Sequence, residues 1–197
     1  MDKNNLDKIF TDNEKEITLT EYQMSACEQF RKNVLNSEHH IKLAPRRNTT
    51  IEKMAWDYYI GLAFEIAAWR YLKNELHIAG LNKPDTTSRT EAQALDIGHN
   101  ADFSNGELNF NCKSYDWYAF NRGVPESYTF QKSSLNAKSP DSEYLICGVV
   151  QQNQVRIRAV LGMERVKPLL LPPQKAIHLE KKLCLYASSL AELKAAA

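Results

Sequence analysis

The chain lacks any apolar run long enough to span a membrane, and Met1 to Asn13 is charged where a signal peptide would need an apolar stretch. It is therefore expected to contact no membrane and to stay in the cytoplasm. Its four cysteines, Cys27, Cys112, Cys147 and Cys184, contain no C-x-x-C pair. That argues against a zinc knuckle or a disulfide framework and for buried free thiols. Five histidines show no ligand spacing, and the adjacent His39 and His40 could not both face one metal from a helix. No internal repeat, Gly-rich phosphate loop, G-x-S-x-G elbow or motor motif occurs. Excess charge is missing too. A net charge of +1 argues against coating nucleic acid by bulk electrostatics, while leaving room for a local groove.

What is present is a globular composition, 43% hydrophobic and 25% charged, over 197 residues. That length suits one domain with a full core. Residues 1–19 read as a polar arm with a frayed end. Thr20 with Gln23 forms a capping box opening a helix over about 21–38, with Tyr22, Ala26, Phe30 and Val34 on one side. Thr49 with Glu52 opens a second helix over about 50–76, apolar around most of its circumference and so largely buried. Residues 82–91 are a Pro- and Thr-rich surface loop, and a short helix is expected around 126–135. Strands at 143–150 and 154–161 form a hairpin through Gln151-Gln152-Asn153. A short apolar segment, 163–171, stops at Pro172-Pro173, and 183–193 hold a last strand and a short helix. The domain is drawn at 20–194, with Ala195-Ala196-Ala197 resembling a cloning scar.

Two features carry chemistry. Ala101-Asp102-Phe103 and Leu108 to Lys113 read as strands joined by Asn105-Gly106, the dipeptide suited to a two-residue type I′ turn. Pairing 102 with 109 and 103 with 108 puts Asp102, Asn109, Asn111 and Lys113 on one face and Phe103, Leu108, Phe110 and Cys112 on the other. On the buried helix, Lys53, Asp57, Gly61 and Glu65 form one stripe. A carboxylate there costs several kcal/mol, on the order of that for an unpaired buried ion, unless a cation or hydrogen bonds compensate. A salt bridge from Glu65 to Lys53, Lys113 or an arginine is the plain alternative. An acid and a lysine on one hairpin, with a second acid from a helix, suit a hydrolytic centre binding a hard divalent cation and a phosphate.

The order of these pieces, Gly61-Leu62-Ala63-Phe64-Glu65 on a helix, Asp102-Phe103 on a strand and Asn111-Cys112-Lys113 on the next, resembles the PD-(D/E)XK nuclease superfamily over about residues 50–150. The resemblance implies an α+β fold with a restriction-endonuclease-like αβββαβ core, a mixed sheet flanked by helices, preceded here by an extra N-terminal helix. It implies Mg2+, with Mn2+ as substitute, held by Asp102, Glu65 through water, Asn111 and the Cys112 carbonyl, and Lys113 activating water or stabilising charge. Gln131 and Lys132 take the place of polar residues that the following helix brings to the phosphate.

The departure is Asn111, where the pattern has Asp or Glu; an amide oxygen can ligate Mg2+ but brings one negative charge less. Asn111 fits a natural variant using Glu65 as second carboxylate, an inactive member that only binds, or an engineered exchange that traps substrate. The expected function is a Mg2+-dependent deoxyribonuclease, an endonuclease of restriction or mobile-element type acting on DNA, with a homodimer as the expected assembly. The alternative is a catalytically inactive nuclease-fold module that binds nucleic acid, and the third reading a scaffold protein without phosphate chemistry. Arg46, Arg47 and Lys53 are candidate nucleic-acid contacts, within basic clusters that continue at Lys42, at Arg156 and Arg158, and at Arg165 and Lys167.

Overall fold

The computed structural model describes residues 6–10, 15–46, 49–84, 102–117, 124–132, 135, 143–174 and 181–195. Thr20 opens α1, Glu21–Leu35, through a complete capping box: its hydroxyl accepts from the Gln23 amide and its own N–H donates to the Gln23 side chain. The buried face is Cys27, Phe30 and Val34, whereas Tyr22 is 83% exposed. A strict four-residue spacing drifts about 40° per step at 100° per residue, so Tyr22 is rotated out of the stripe that Val34 occupies. The helix ends at Leu35 rather than 38, and a separate α2, Glu38–Arg46, follows.

Helix α3 runs Ile51–Asn74, and its cap is Thr50, one residue later than expected, whose hydroxyl accepts from the Lys53 amide at 3.2 Å. Twelve of its residues, among them Leu62, Phe64, Ala67 and Leu72, are buried. This helix packs on a mixed sheet that contains β1 Lys8–Ile9, β2 Lys15–Thr18, β3 Phe103–Ser104, β4 Asn109–Asp116, β6 Glu143–Gln151 and β7 Gln154–Gly162. The order is β1-β7-β6-β4-β3, with β2 also on β7. Strands β4 and β6 are parallel and the other pairs antiparallel. Residues 8–9 and 15–18 are thus part of the sheet, which corrects the reading of 1–19 as a frayed arm. Its polar composition hid the pairing because only Ile17 of β2 turns inward.

A second sheet pairs β5, Ser127–Gln131, with β8, Lys182–Tyr186. A helix was expected at 126–135, but over 127–131 the chain is a strand. Tyr128 and Phe130 point inward and Thr129 and Gln131 outward, a period of two that short length and flanking polar residues had masked. A short α4, Met163–Val166, and the 3₁₀ turn Lys167–Leu169 follow β7, and α5, Ala187–Ala195, ends the described chain. Ala195 is therefore the last residue of a helix.

Alternation along β6 feeds two cores. Tyr144, Ile146 and Val150 join Phe64, Phe103 and Phe110 beneath α1 and α3, while Leu145, Cys147 and Val149 join Tyr128, Leu161, Leu185 and Leu190 on the opposite face. At Gly148 a side chain would lie 2.2 Å from the Arg156 carbonyl oxygen and 2.6 Å from the Phe64 ring, so the absence of a Cβ lets α3 approach the sheet. The fold is α+β, with five α-helices among the described residues. No described helix is long and apolar enough to cross a membrane.

Candidate active site

The hairpin that carries Asp102 forms, but two residues out of the expected register. Phe103 pairs with Phe110 and Ser104 with Asn109. The Asn105 side chain accepts from the amides of Glu107 and Leu108 at 3.1 and 2.9 Å, so Asn105 caps the turn and only Gly106, at φ 91°, adopts a positive angle. The loop therefore spans four residues. Because the shift is two, Phe103, Leu108 and Phe110 keep the core face and Asn111 and Lys113 the other. Continuing the ladder places Asp102 opposite Asn111 instead of Asn109.

The chain bends at Asp102, and its Oδ2 accepts the Cys112 amide at 2.6 Å, where the next ladder carbonyl would otherwise sit. The carboxylate thus lies at the rim of the sheet. There it opens onto a cleft of about 460 Å3 whose walls include Asp57, Gly61 and Glu65 from α3, and Lys182 from β8. The helical stripe read from the sequence does line one surface, and it meets Asp102 there. Glu65 is half-buried, and a Cβ at Gly61 would meet nothing within 4 Å. Phe30, Met54, Tyr58 and Leu62 supply an apolar side to the same cleft.

Asn111 and Lys113 are both half-buried and sit on the strand behind. They alternate with Phe110 and Cys112 and share their face with Tyr115, toward the second sheet, where the Lys113 ammonium stands 5.9 Å from the Phe130 ring centre. Cys112 marks the meeting point. Burial pushes its thiol well above the ordinary range, Asp102 and then Glu65 push it further, and Lys113 opposes them. All three charged candidates thus act on one sulfur. Cys27, on α1, is raised to about 12, first by burial and then by Glu65.

Gln131 and Lys132 are exposed at the end of β5. Gln131 is the register partner of Lys182, and the Lys132 amide donates to the Lys181 carbonyl at 3.0 Å. Gln131 is the last residue of β5, whereas Lys132 is already helical, and neither is among the residues that line the cleft. The basic clusters are largely engaged: Lys53 with Asp57, Lys42 with Glu38, Arg158 with Glu126 and Arg165 with Asp7. Arg156 lies 3.9 Å from Glu16 and 5.7 Å from the Trp117 ring centre. Arg47, the side chain of Arg46, Ala101 and the part of the expected loop from 85 to 91 lie outside the described residues. Sequence reasoning missed Lys182, whose partner strand lies some fifty residues earlier, and no local pattern announces that pairing.

Among the described residues no group of three or more His, Cys, Asp or Glu side chains is placed to hold a metal ion. The cleft offers the carboxylates of Asp102 and Glu65; the Cys112 carbonyl lies on the neighbouring strand, and the Asn111 amide lies on that strand's other face. This all-oxygen set is compatible with a hard cation, at a charge lower than three carboxylates would give. Comparison with protein-family models, with curated proteins and with solved structures gave no match.

Proposed function

We propose that the protein is a divalent-metal-dependent deoxyribonuclease built on a restriction-endonuclease-like core. The observation that carries this reading is that Glu65 and Asp102, 37 residues apart in sequence, line one cleft, with Asp102 tied through the Cys112 amide to the strand bearing Asn111 and Lys113. The connectivity supports it: α3 is followed by an antiparallel β3-β4 pair, and β6 runs parallel to β4.

In this reading Asp102 and Glu65, with the Cys112 carbonyl, would hold Mg2+ or Mn2+, which when bound supplies charge stabilisation for displacement at phosphorus, and Asn111 would join them only by turning back from the second-sheet face. Asp102 is fixed by the amide it accepts from. Glu65 stands on the long helix, so its position follows the packing of α3 on the sheet. Lys113 contributes a positive charge from the strand behind, for water orientation or for the charge that develops on phosphate. Metal-dependent cleavage of supercoiled plasmid by the protein, and a stronger signal from Asn111→Asp, test the reading. If both proteins fail to cut with Mg2+ or Mn2+, the activity is refuted.

A second reading, a binding module on the same scaffold without catalysis, is favoured by Asn111 and by there being, among the described residues, no group of three His, Cys, Asp or Glu placed to hold a metal. A salt-dependent gel shift without cleavage would select it.

A further inference from the structure

Resting on the nucleic-acid reading above, we infer that Lys182, on a strand of the second sheet outside the stretch that resembles a nuclease, is the phosphate-contacting cation of the cleft. Among the described residues lining the cleft, three carry carboxylates, Asp57, Glu65 and Asp102, and one carries a cation, Lys182. Asp57 is already matched by Lys53 one turn before it. Glu65 and Asp102 line the same cleft as Lys182. A phosphodiester entering this space brings another negative charge, which two carboxylates repel unless a positive group meets it on the far side.

Position supports the same role. Strand β8 is held by β5 from Gln131↔Lys182 to Ser127↔Tyr186, so the backbone at Lys182 is fixed by a sheet rather than by a loop. The half-buried Lys182 extends from this edge into the cleft, while its neighbour Lys181 is exposed before the strand begins. Gln131 and Lys132, both exposed, flank it. An ammonium on a flexible stem suits a point contact to a phosphate oxygen. The apolar side made by Phe30, Met54 and Tyr58 leaves room for a sugar or base next to that contact.

The test uses a short fluorescein-labelled single-stranded oligonucleotide, followed by anisotropy in EDTA over a salt series, together with calorimetric titration of Mn2+ alone. Lys182→Gln should weaken oligonucleotide binding about tenfold and reduce the salt slope by about 0.7, the share of one phosphate contact on a single strand. Lys182→Arg should restore most of the affinity, Lys181→Gln should change little, and Mn2+ affinity should not fall in any of them. The inference is overturned if Lys182→Gln binds like the parent, if Lys181→Gln loses as much, or if Mn2+ affinity falls together with oligonucleotide affinity, which would make Lys182 a support for the acids. A parent protein that binds no oligonucleotide at all would remove the proposed function as well, so the two failures are distinguishable.

Discussion

The amide nitrogen of Cys112 donates to Asp102 Oδ2 at 2.6 Å, so a side chain takes over from the backbone where the β3-β4 ladder ends. A hydrogen bond to an ionised acceptor is short and strong. Its consequence is that the two oxygens of Asp102 are not equivalent: one finishes the sheet and the carboxylate as a whole faces the cleft.

Asp102→Asn and Asp102→Ala should therefore separate fold from chemistry. Asn keeps an acceptor for Cys112, whereas Ala leaves that amide without one and should cost about 1–3 kcal/mol. Both should abolish cleavage and weaken Mn2+ binding. Urea denaturation and metal titration read the two effects, and full activity in either variant would take Asp102 out of the site.

Glu65→Gln should hardly move the melting temperature, because the amide retains hydrogen bonding on a half-buried position, yet should cut metal affinity and cleavage. Unchanged activity with lowered stability would identify Glu65 as a structural ion-pair partner instead.

Asn111→Asp adds an anionic donor at nearly constant volume beside Asp102. Mg2+ and Mn2+ affinity should rise by about tenfold or more, with cleavage rising in parallel, since one added charge near a hard cation is worth at least about 1.4 kcal/mol at this depth. Oligonucleotide binding in EDTA should stay level or weaken slightly. An inert Asn111→Asp that still binds DNA would favour the binding module.

Two glycines should answer an added methyl group with opposite signs. Gly61→Ala meets open space and should stabilise α3 by up to about 1 kcal/mol, while narrowing the cleft. Gly148→Ala drives a methyl against the Arg156 carbonyl and the Phe64 ring, and should destabilise by about 1–3 kcal/mol or more. Thermal denaturation of the two variants side by side checks both signs, and a stable Gly148→Ala would contradict the close approach of α3 to β6.

Stability should fall at alkaline pH. The Cys27 thiol is raised from 9.0 to about 12 and the Tyr71 hydroxyl from 10.0 to about 12, each first by burial. The Cys112 and Cys147 thiols are raised as well, again first by burial. These groups remain protonated in the folded chain where the unfolded chain releases protons, so their contribution is constant below about pH 9. It is lost as pH climbs toward 12, at up to about 1.4 kcal/mol per pH unit for each group. Urea midpoints between pH 8 and pH 10.5 measure the slope; a flat profile would mean that the thiols are solvated.

Helices α1 and α3 and the β6-β7 hairpin were legible in the sequence because their signals are local: the Thr20 and Gln23 capping box, the apolar circumference of α3, and the turn at Gln152 and Asn153. The faces of the Asp102 hairpin were legible for a different reason. Strand alternation tolerates a slip of two, so the faces of Phe103, Phe110, Asn111 and Lys113 emerged from the wrong register, while Asp102, where the chain bends, left the face expected for it. What stayed hidden depends on partners far along the chain. Polar β2 becomes a strand only because β7 offers it an edge, and β5 only because β8 returns beside it. Lys182 could not be placed until that second sheet was known. The expectation that Asp102, Asn111, Lys113 and Glu65 share one surface is met for Asp102 and Glu65. Asn111 and Lys113 turn toward the second sheet because their alternate neighbours, Phe110 and Cys112, pack beneath α3.

The N-terminal strands give the molecule a property unrelated to the cleft. They lie end to end along one side of β7, and their hold is extended by the Leu19 amide on the Asn153 carbonyl at 2.8 Å and by Asp7 on the Gly162 amide at 2.8 Å. Strand β7 is nine residues long, and Val155, Ile157, Ala159 and Leu161 along it are all buried. Without the first nineteen residues this strand would present an edge of unpaired amides and carbonyls, the form that recruits another chain by strand addition. A stretch that also seats Leu6, Ile17 and Leu19 in the core therefore acts as a cover against self-association, and its loss should be felt as turbidity at high protein concentration.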